Sequence, residues 1–264
     1  MTDWLIDLEN CSVFRNRAIL DRVTLKIAPF QHTAIIGPNG SGKSTLIRLL
    51  MRELYPSRGQ GEAPVNRFMG RDSWTQTELR QAISLVSMKF AEHLLDVGTL
   101  TAFDAVASSV FGTYGFFPRD GLTNEQRDAT GHALALMHLD AVADQPLQLL
   151  STGQMRKVLI ARAMVLKPAL ILLDEPSLGL DIAAQGEFLD YLTQVMKTAT
   201  VVMVTHHLEE ILPGMNTVAM IKDGRIFAFG EAGDVLTDDR LSQLFDTPVT
   251  VRVSEGGIRT MTRR

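Results

Sequence analysis

Gly37-Pro38-Asn39-Gly40-Ser41-Gly42-Lys43-Ser44-Thr45 fits the pattern G-x-x-x-x-G-K-[ST], a loop whose backbone N–H groups wrap a phosphate. Glycine is required because such a nest uses positive φ, which other residues resist. The Lys43 ammonium would reach the β- and γ-phosphates of a nucleotide, and the Ser44 hydroxyl would ligate Mg²⁺. A helix opening near Ser44 and running through Leu49 would turn the positive end of its dipole toward the same charge.

Alone, the string reads equally as a glycine turn before a helix. Its surroundings decide otherwise. Thr33-Ala34-Ile35-Ile36 is a short apolar run leading into the loop, and Thr45-Leu46-Ile47-Arg48-Leu49-Leu50 reads as helix. Strand, glycine loop and helix are the context this motif needs.

Upstream, Trp4-Leu5-Ile6 and Val23-Thr24-Leu25-Lys26-Ile27 read as strands joined by turns. Downstream, Ile83-Ser84-Leu85-Val86-Ser87 is another strand, and from about Ala91 to Leu149 the pattern turns helical. Thr123-Asn124-Glu125-Gln126 makes a capping box that opens a helix through about Leu139. Ala169 to Leu173 and Thr200 to Val204 are continuous apolar runs, typical of parallel strands buried on both faces. Asp223-Gly224 is the turn of a hairpin spanning Ala219 to Phe227, and Gly256-Gly257 marks a turn near the end. The fold class read from this is α/β: a P-loop core with a mostly parallel sheet, an N-terminal antiparallel β subdomain and an inserted helical subdomain. The expected organisation is one domain over 1–250, with the helical part at about 90–150, and a tail over 251–264.

Composition narrows the function. With 264 residues, 45% apolar and 21% charged, the chain has the make-up of an ordinary globular protein able to bury a sizeable core. A net charge of −4 argues against a broad basic surface for nucleic acid. Cys11 is the only cysteine, which rules out an intrachain disulfide and fits a reducing cytosol. Asp3, Asp7 and Glu9 break up the N-terminal apolar residues, so no signal peptide is expected. No apolar run approaches the length of a membrane span, so any membrane role is expected to pass through a partner.

Three further segments carry chemistry. Asp174-Glu175 closes the run ending at Leu173, and carboxylates at the carboxyl end of a parallel strand sit beside the ligand crevice of such a sheet. Asp174 would hold Mg²⁺ and Glu175 would orient and deprotonate the attacking water; without the phosphate loop the pair would be a solvated acidic turn before Pro176. Leu150-Ser151-Thr152-Gly153-Gln154 precedes a helix to about Leu166, with Ser151 and Gln154 spaced as a capping box. A capped helix start rich in small residues is also an anion site, so both readings stand. His206 follows the strand at 200–204, where a donor would reach a γ-phosphate; singly, His206 or His207 reads as a loop histidine.

In this order the parts resemble the ATP-binding cassette (ABC) ATPase family, over about residues 4–245. The glycine loop matches Walker A, Leu150–Gln154 the signature, Leu170–Glu175 Walker B, Gly179-Leu180-Asp181 the D-loop and His206 the switch histidine. Phe14 lies where the family places an aromatic that stacks on adenine. The resemblance implies ATP and Mg²⁺ as cofactors and a head-to-tail dimer, with a second copy of this chain or a different cassette. In that dimer Ser151, Gly153, Gln154 and Asp181 would act across the interface, completing the γ-phosphate cage only when two ATP-loaded copies meet.

Two positions depart from the family pattern. Thr152 replaces the first glycine of the usual LSGGQ, with modest expected effect. Met88 stands where a Mg²⁺-touching glutamine is expected after the strand ending at Ser87, and a thioether is a poor Mg²⁺ ligand. Gln81 is too far back along an extended chain to substitute, so weaker Mg²⁺ dependence or altered coupling is expected, unless Met88 is ordinary packing.

The function implied is an ATP-hydrolysing subunit that energises a transporter from the cytoplasmic face of a membrane, with separate transmembrane permease subunits. The helical lobe and a loop from Met88 to about Thr101 would dock on the permease. The tail from Gly233 to Val251 resembles that of bacterial metal-chelate and related importers. The alternative is a soluble ABC ATPase acting on a machine such as the ribosome.

Overall fold

The computed structural model describes residues 4–57, 63–113, 115, 118–178 and 180–264. Gly179, the first residue of the expected D-loop, lies outside them. In chain order the elements begin with β1 (Ile6–Phe14), β2 (Ala18–Ile27), β3 (Thr33–Ile36), α1 (Lys43–Leu50) and β4 (Val65–Phe68). Next come α2 (Gln76–Ala82), β5 (Ile83–Ser87), α3 (Met88–Asp96), α4 (Ala102–Ala107), α5 (Asn124–Leu136) and α6 (Thr152–Met164). They are followed by β6 (Leu170–Asp174), α7 (Ile182–Val195), β7 (Thr200–Thr205), β8 (Thr217–Lys222) and β9 (Arg225–Glu231). Last are α8 (Ala232–Val235), α9 (Asp238–Phe245), β10 (Val249–Val253) and β11 (Arg259–Arg263).

The chain divides into two compact units. One comprises the residues up to Trp74 with Thr200–Arg264; the other is Thr75–Ala199. In the first unit, β7, β3 and β8 run parallel in that order and β9 adds antiparallel to β8. Every residue of β3 and β7 is buried, which explains their unbroken apolar runs. The antiparallel sheet β2-β1-β4 stands in the same unit, with Leu8, Cys11, Leu20 and Val23 in its core. Burial pushes the Cys11 thiol up to about 11. The tail residues form the antiparallel β10–β11 hairpin, with Gly257 at positive φ in its turn.

In the second unit β5 and β6 pair in parallel, Ser87 opposite Asp174. Four of its helices open with complete capping boxes: Thr75 with Glu78, Thr101 with Asp104, Thr123 with Gln126, and Ser151 with Gln154. The segment from Met88 corrects the expectation of a loop. It is helix α3, because the Ser87 hydroxyl accepts the Phe90 N–H at 3.2 Å while Ala91 and Leu94 bury one face. The sheet assignments together make an α/β fold, mixed and mostly parallel, with an antiparallel N-terminal sheet.

Candidate functional site

The phosphate loop owes its shape to neighbours on three sides. Ile36 pairs with Met220 of β8, so β8 runs on beside Gly37, and a Cβ there would lie 2.2 Å from the Ile221 carbonyl oxygen. Gly40 and Gly42 hold φ of 79° and 108°, the left-handed region that favours glycine. A Cβ on Gly42 would also press on Leu20 at 2.8 Å and on the Ile19 carbonyl at 3.0 Å. The turn at Asp223-Gly224 supplies the third brace: the Gly224 N–H donates to the Ser41 carbonyl at 3.0 Å, and the Asp21 N–H donates to the Gly224 carbonyl at 2.8 Å. Arg225 Nε closes that brace on the Asp21 carboxylate at 2.8 Å. Sequence reading finds the Asp223-Gly224 turn but not this use of it.

Inside the loop, Lys43 is buried and its Nζ donates to the Gly37 and Pro38 carbonyls at 2.8 and 2.9 Å. Helix α1 begins at Lys43 with Gly42 as N-cap, and no side chain caps it. Its first-turn N–H groups therefore face back into the loop at the positive end of the dipole. The Ser41 hydroxyl is buried with no hydrogen-bond partner among the described residues. An orphaned hydroxyl, an uncapped helix start and a cation folded over the loop fit a polyphosphate. In the first unit Ser44 is exposed, and in the second Asp174 is half-buried; each by itself offers an oxygen donor of the kind Mg²⁺ prefers.

Other expected residues fall around this loop in the same unit. Ile36 pairs with Thr205 in parallel, so Gly37 and His206 leave the adjacent carboxyl ends of β3 and β7, where α/β sheets bind ligands. The His206 ring lies against that of His207, with centroids 4.0 Å apart. Phe14 ends β1 opposite Ala18, next to the Ile19-Leu20 pair that backs Gly42. It is 54% exposed, which leaves its ring face open for stacking. Pro38, Asn39 and Thr45 complete the loop and the first helical turn.

In the second unit Met88 and Glu175 leave the adjacent ends of β5 and β6, since Ser87 pairs with Asp174. Met88 is therefore strand-end neighbour to the carboxylates, which keeps its identity relevant to them. Glu175 holds φ 47°, a left-handed conformation that costs a non-glycine residue about 1–3 kcal/mol and recurs at functional sites. The signature sits at the start of α6. The Ser151 hydroxyl accepts the Gln154 N–H at 3.2 Å, and Gln154 Oε1 accepts the Ser151 N–H at 2.9 Å. Gly153 lies on that first turn, where a Cβ would meet Ala184 Cβ and Ser151 Oγ only in ordinary contact at 4.0 Å. Asp181 caps α7 through the Ala184 N–H at 2.8 Å. Sequence reading missed Arg156, a buried guanidinium on α6 that donates to the Glu175 and Leu178 carbonyls.

Comparison with known proteins identifies the family. The family model for ABC transporters matches residues 20–178. The chain is 32% identical over 251 residues to the uncharacterized ABC transporter ATP-binding protein YlmA of Bacillus subtilis, covering 94% of this chain and 93% of that protein. It is 34% identical over 226 residues to the cobalt import ATP-binding protein CbiO of Rhodobacter capsulatus, covering 83% and 75%. Its fold matches that of a putative metal-chelate type ABC transporter in an inward-facing conformation, with TM-score 0.75 and 24% identity over 100% of this chain and 98% of that one. This chain belongs to the ABC transporter family as an ATP-binding subunit, in a family of ATPases that hydrolyse ATP.

Proposed function

We propose that the chain energises an importer through ATP-driven association of two cassettes. The observation that carries this is the phosphate loop with its uncapped helix start, its folded-over Lys43 and its orphaned Ser41 hydroxyl. In this reading Gly37–Thr45 hold the triphosphate and Phe14 stacks on adenine. Ser44 and Asp174 hold Mg²⁺, whose role when bound is to neutralise charge between the phosphates. Glu175 takes the proton of the attacking water and His206 donates toward the γ-phosphate oxygens. Ser151, Gly153, Gln154 and Asp181 belong to the ATP of the second cassette, so that ATP closes the pair and hydrolysis opens it.

The importer reading is supported by the likeness to a cobalt import subunit. Among the described residues no helix is long and apolar enough to cross a membrane, so separate permease subunits on whose cytoplasmic face this chain would sit belong to the proposal. The helical lobe, about 90–150 within a domain of 1–250, is the proposed dock, and its first element is the helix α3. Affinity purification of a Glu175→Gln variant with ATP and Mg²⁺ from detergent-solubilised cells tests this. A stoichiometric polytopic membrane protein is expected. Ribosomal co-purification would replace the importer with a soluble ATPase acting on a macromolecular machine.

A further inference from the structure

Arg156 is 3% exposed and sits two residues past Gln154 on α6. Its Nη1 donates to the Glu175 carbonyl at 3.4 Å and its Nη2 donates to the Leu178 carbonyl. A guanidinium is a rigid planar fork, so two carbonyls bound to it cannot change their spacing independently. The turn they bracket closes on itself through the Leu178 N–H to the Glu175 carbonyl at 3.3 Å. Within that turn Glu175 holds φ 47°, a conformation that persists only where the surroundings impose it. Both ends of this turn hang on the one guanidinium of Arg156.

We propose that Arg156 is a positioning residue that aims the Glu175 carboxylate from the signature helix. The proposal rests on the reading of Glu175 as the base and of Ser151–Gln154 as contacts to the second cassette's ATP. Under it, one rigid helix joins the turn that senses the second copy's nucleotide to the turn that acts on this copy's own. A displacement of the first turn of α6 reaches Glu175 through Arg156, which couples the two ATP sites within a single chain. Displacements of about 1 Å at a reacting group suffice to change rates by roughly a hundredfold.

The test uses the full-length chain, with steady-state ATPase rates and ATP affinity by equilibrium dialysis. Arg156→Met keeps the buried stem and removes the fork. It is expected to lower kcat by about 10- to 100-fold while ATP Kd stays within about twofold, and to abolish cooperativity in ATP. Arg156→Lys is expected to recover part of kcat, because an ammonium engages one carbonyl but not a fixed pair. In a Glu175→Gln background, adding Arg156→Met is expected to change the residual rate by less than about twofold, since a residue acting through Glu175 has nothing left to position. Wild-type kcat in Arg156→Met, or losses that multiply in the double variant, would overturn the proposal. Where Arg156→Met does not fold, Arg156→Lys decides: wild-type kcat and cooperativity in it would overturn the proposal equally. Full turnover in Glu175→Gln alone would instead remove the base assignment itself, a failure distinct from that of Arg156.

Discussion

Helices α1 and α6 both open in turns of small residues, yet they treat their first N–H groups in opposite ways. At α1 the N-cap is Gly42 at φ 108°, with no side chain to satisfy the helix start. At α6 the N-cap is Ser151, and with Gln154 it satisfies the start from both sides. The first end is complete only with an anion in place. The second already has the Ser151 and Gln154 N–H groups satisfied by its own side chains, so a phosphate reaching the Ser151 hydroxyl or the Gln154 N–H must share or displace a bond already made. The difference suits a site that holds ATP by itself and a site that engages ATP only on association.

The largest effect should come from breaking the first end. Lys43→Ala leaves the uncapped helix start but removes the buried cation that folds over the loop. A charge-assisted contact is worth about 1.5–3 kcal/mol, and in the proposed reading the Lys43 ammonium would reach two phosphates, so ATP affinity should fall by roughly a hundredfold in equilibrium dialysis. Near-normal binding would mean that the loop is not the nucleotide site. Gly37→Ala should break the same end through packing. Its Cβ would sit 2.2 Å from a backbone oxygen of β8, and overpacking of this kind costs about 1–3 kcal/mol, readable as a lowered midpoint in urea unfolding.

How far the sequence reaches follows the same division between local and distant causes. Gly37–Thr45, Thr123–Gln126 and Ser151–Gln154 are legible because each acts within one helical turn of itself, and all three form the expected structures. The extended β1 and β2 were harder to bound, since register shifts after Leu8, Cys11 and Val13 interrupt their alternation. Helix α3 had its signal in Ser87 and in the spacing of Ala91 and Leu94; the reading of helix from about Ala91 found most of it, while the expectation of a loop from Met88, taken from family likeness, missed its first turn. The brace from Gly224 to Ser41 spans 183 positions (224 − 41) and that from Arg156 to Glu175 spans 19. Neither leaves a periodic or spacing signal, because each joins a side chain or turn to a backbone carbonyl that any residue could supply.

Met88 tests the comparison from the side of the carboxylates. It starts α3 at the strand end beside Glu175's strand, half-buried. Met88→Gln places an oxygen donor where a thioether stood. The Mg²⁺ concentration for half-maximal ATPase should fall by about tenfold, equivalent to about 1.4 kcal/mol. An unchanged Mg²⁺ requirement and rate would make Met88 a packing residue.

The smallest effect, and the finest probe of the α6 end, is at Ser151. Ser151→Ala removes a cap whose loss costs about 1 kcal/mol, whereas glycine at an N-cap costs only a few tenths. Thermal unfolding of the full-length chain should therefore separate Ser151→Ala from Ser151→Gly. Both variants lack the hydroxyl that would meet the second cassette's γ-phosphate, so both should lose turnover alike and keep ATP affinity in the unassociated chain. A turnover that tracked stability, with Ser151→Gly near wild type, would reduce Ser151 to a helix cap. Equal turnover losses with unequal stability would assign the hydroxyl to the nucleotide, and would show α6 giving up a finished cap to make that contact while α1 has none to give.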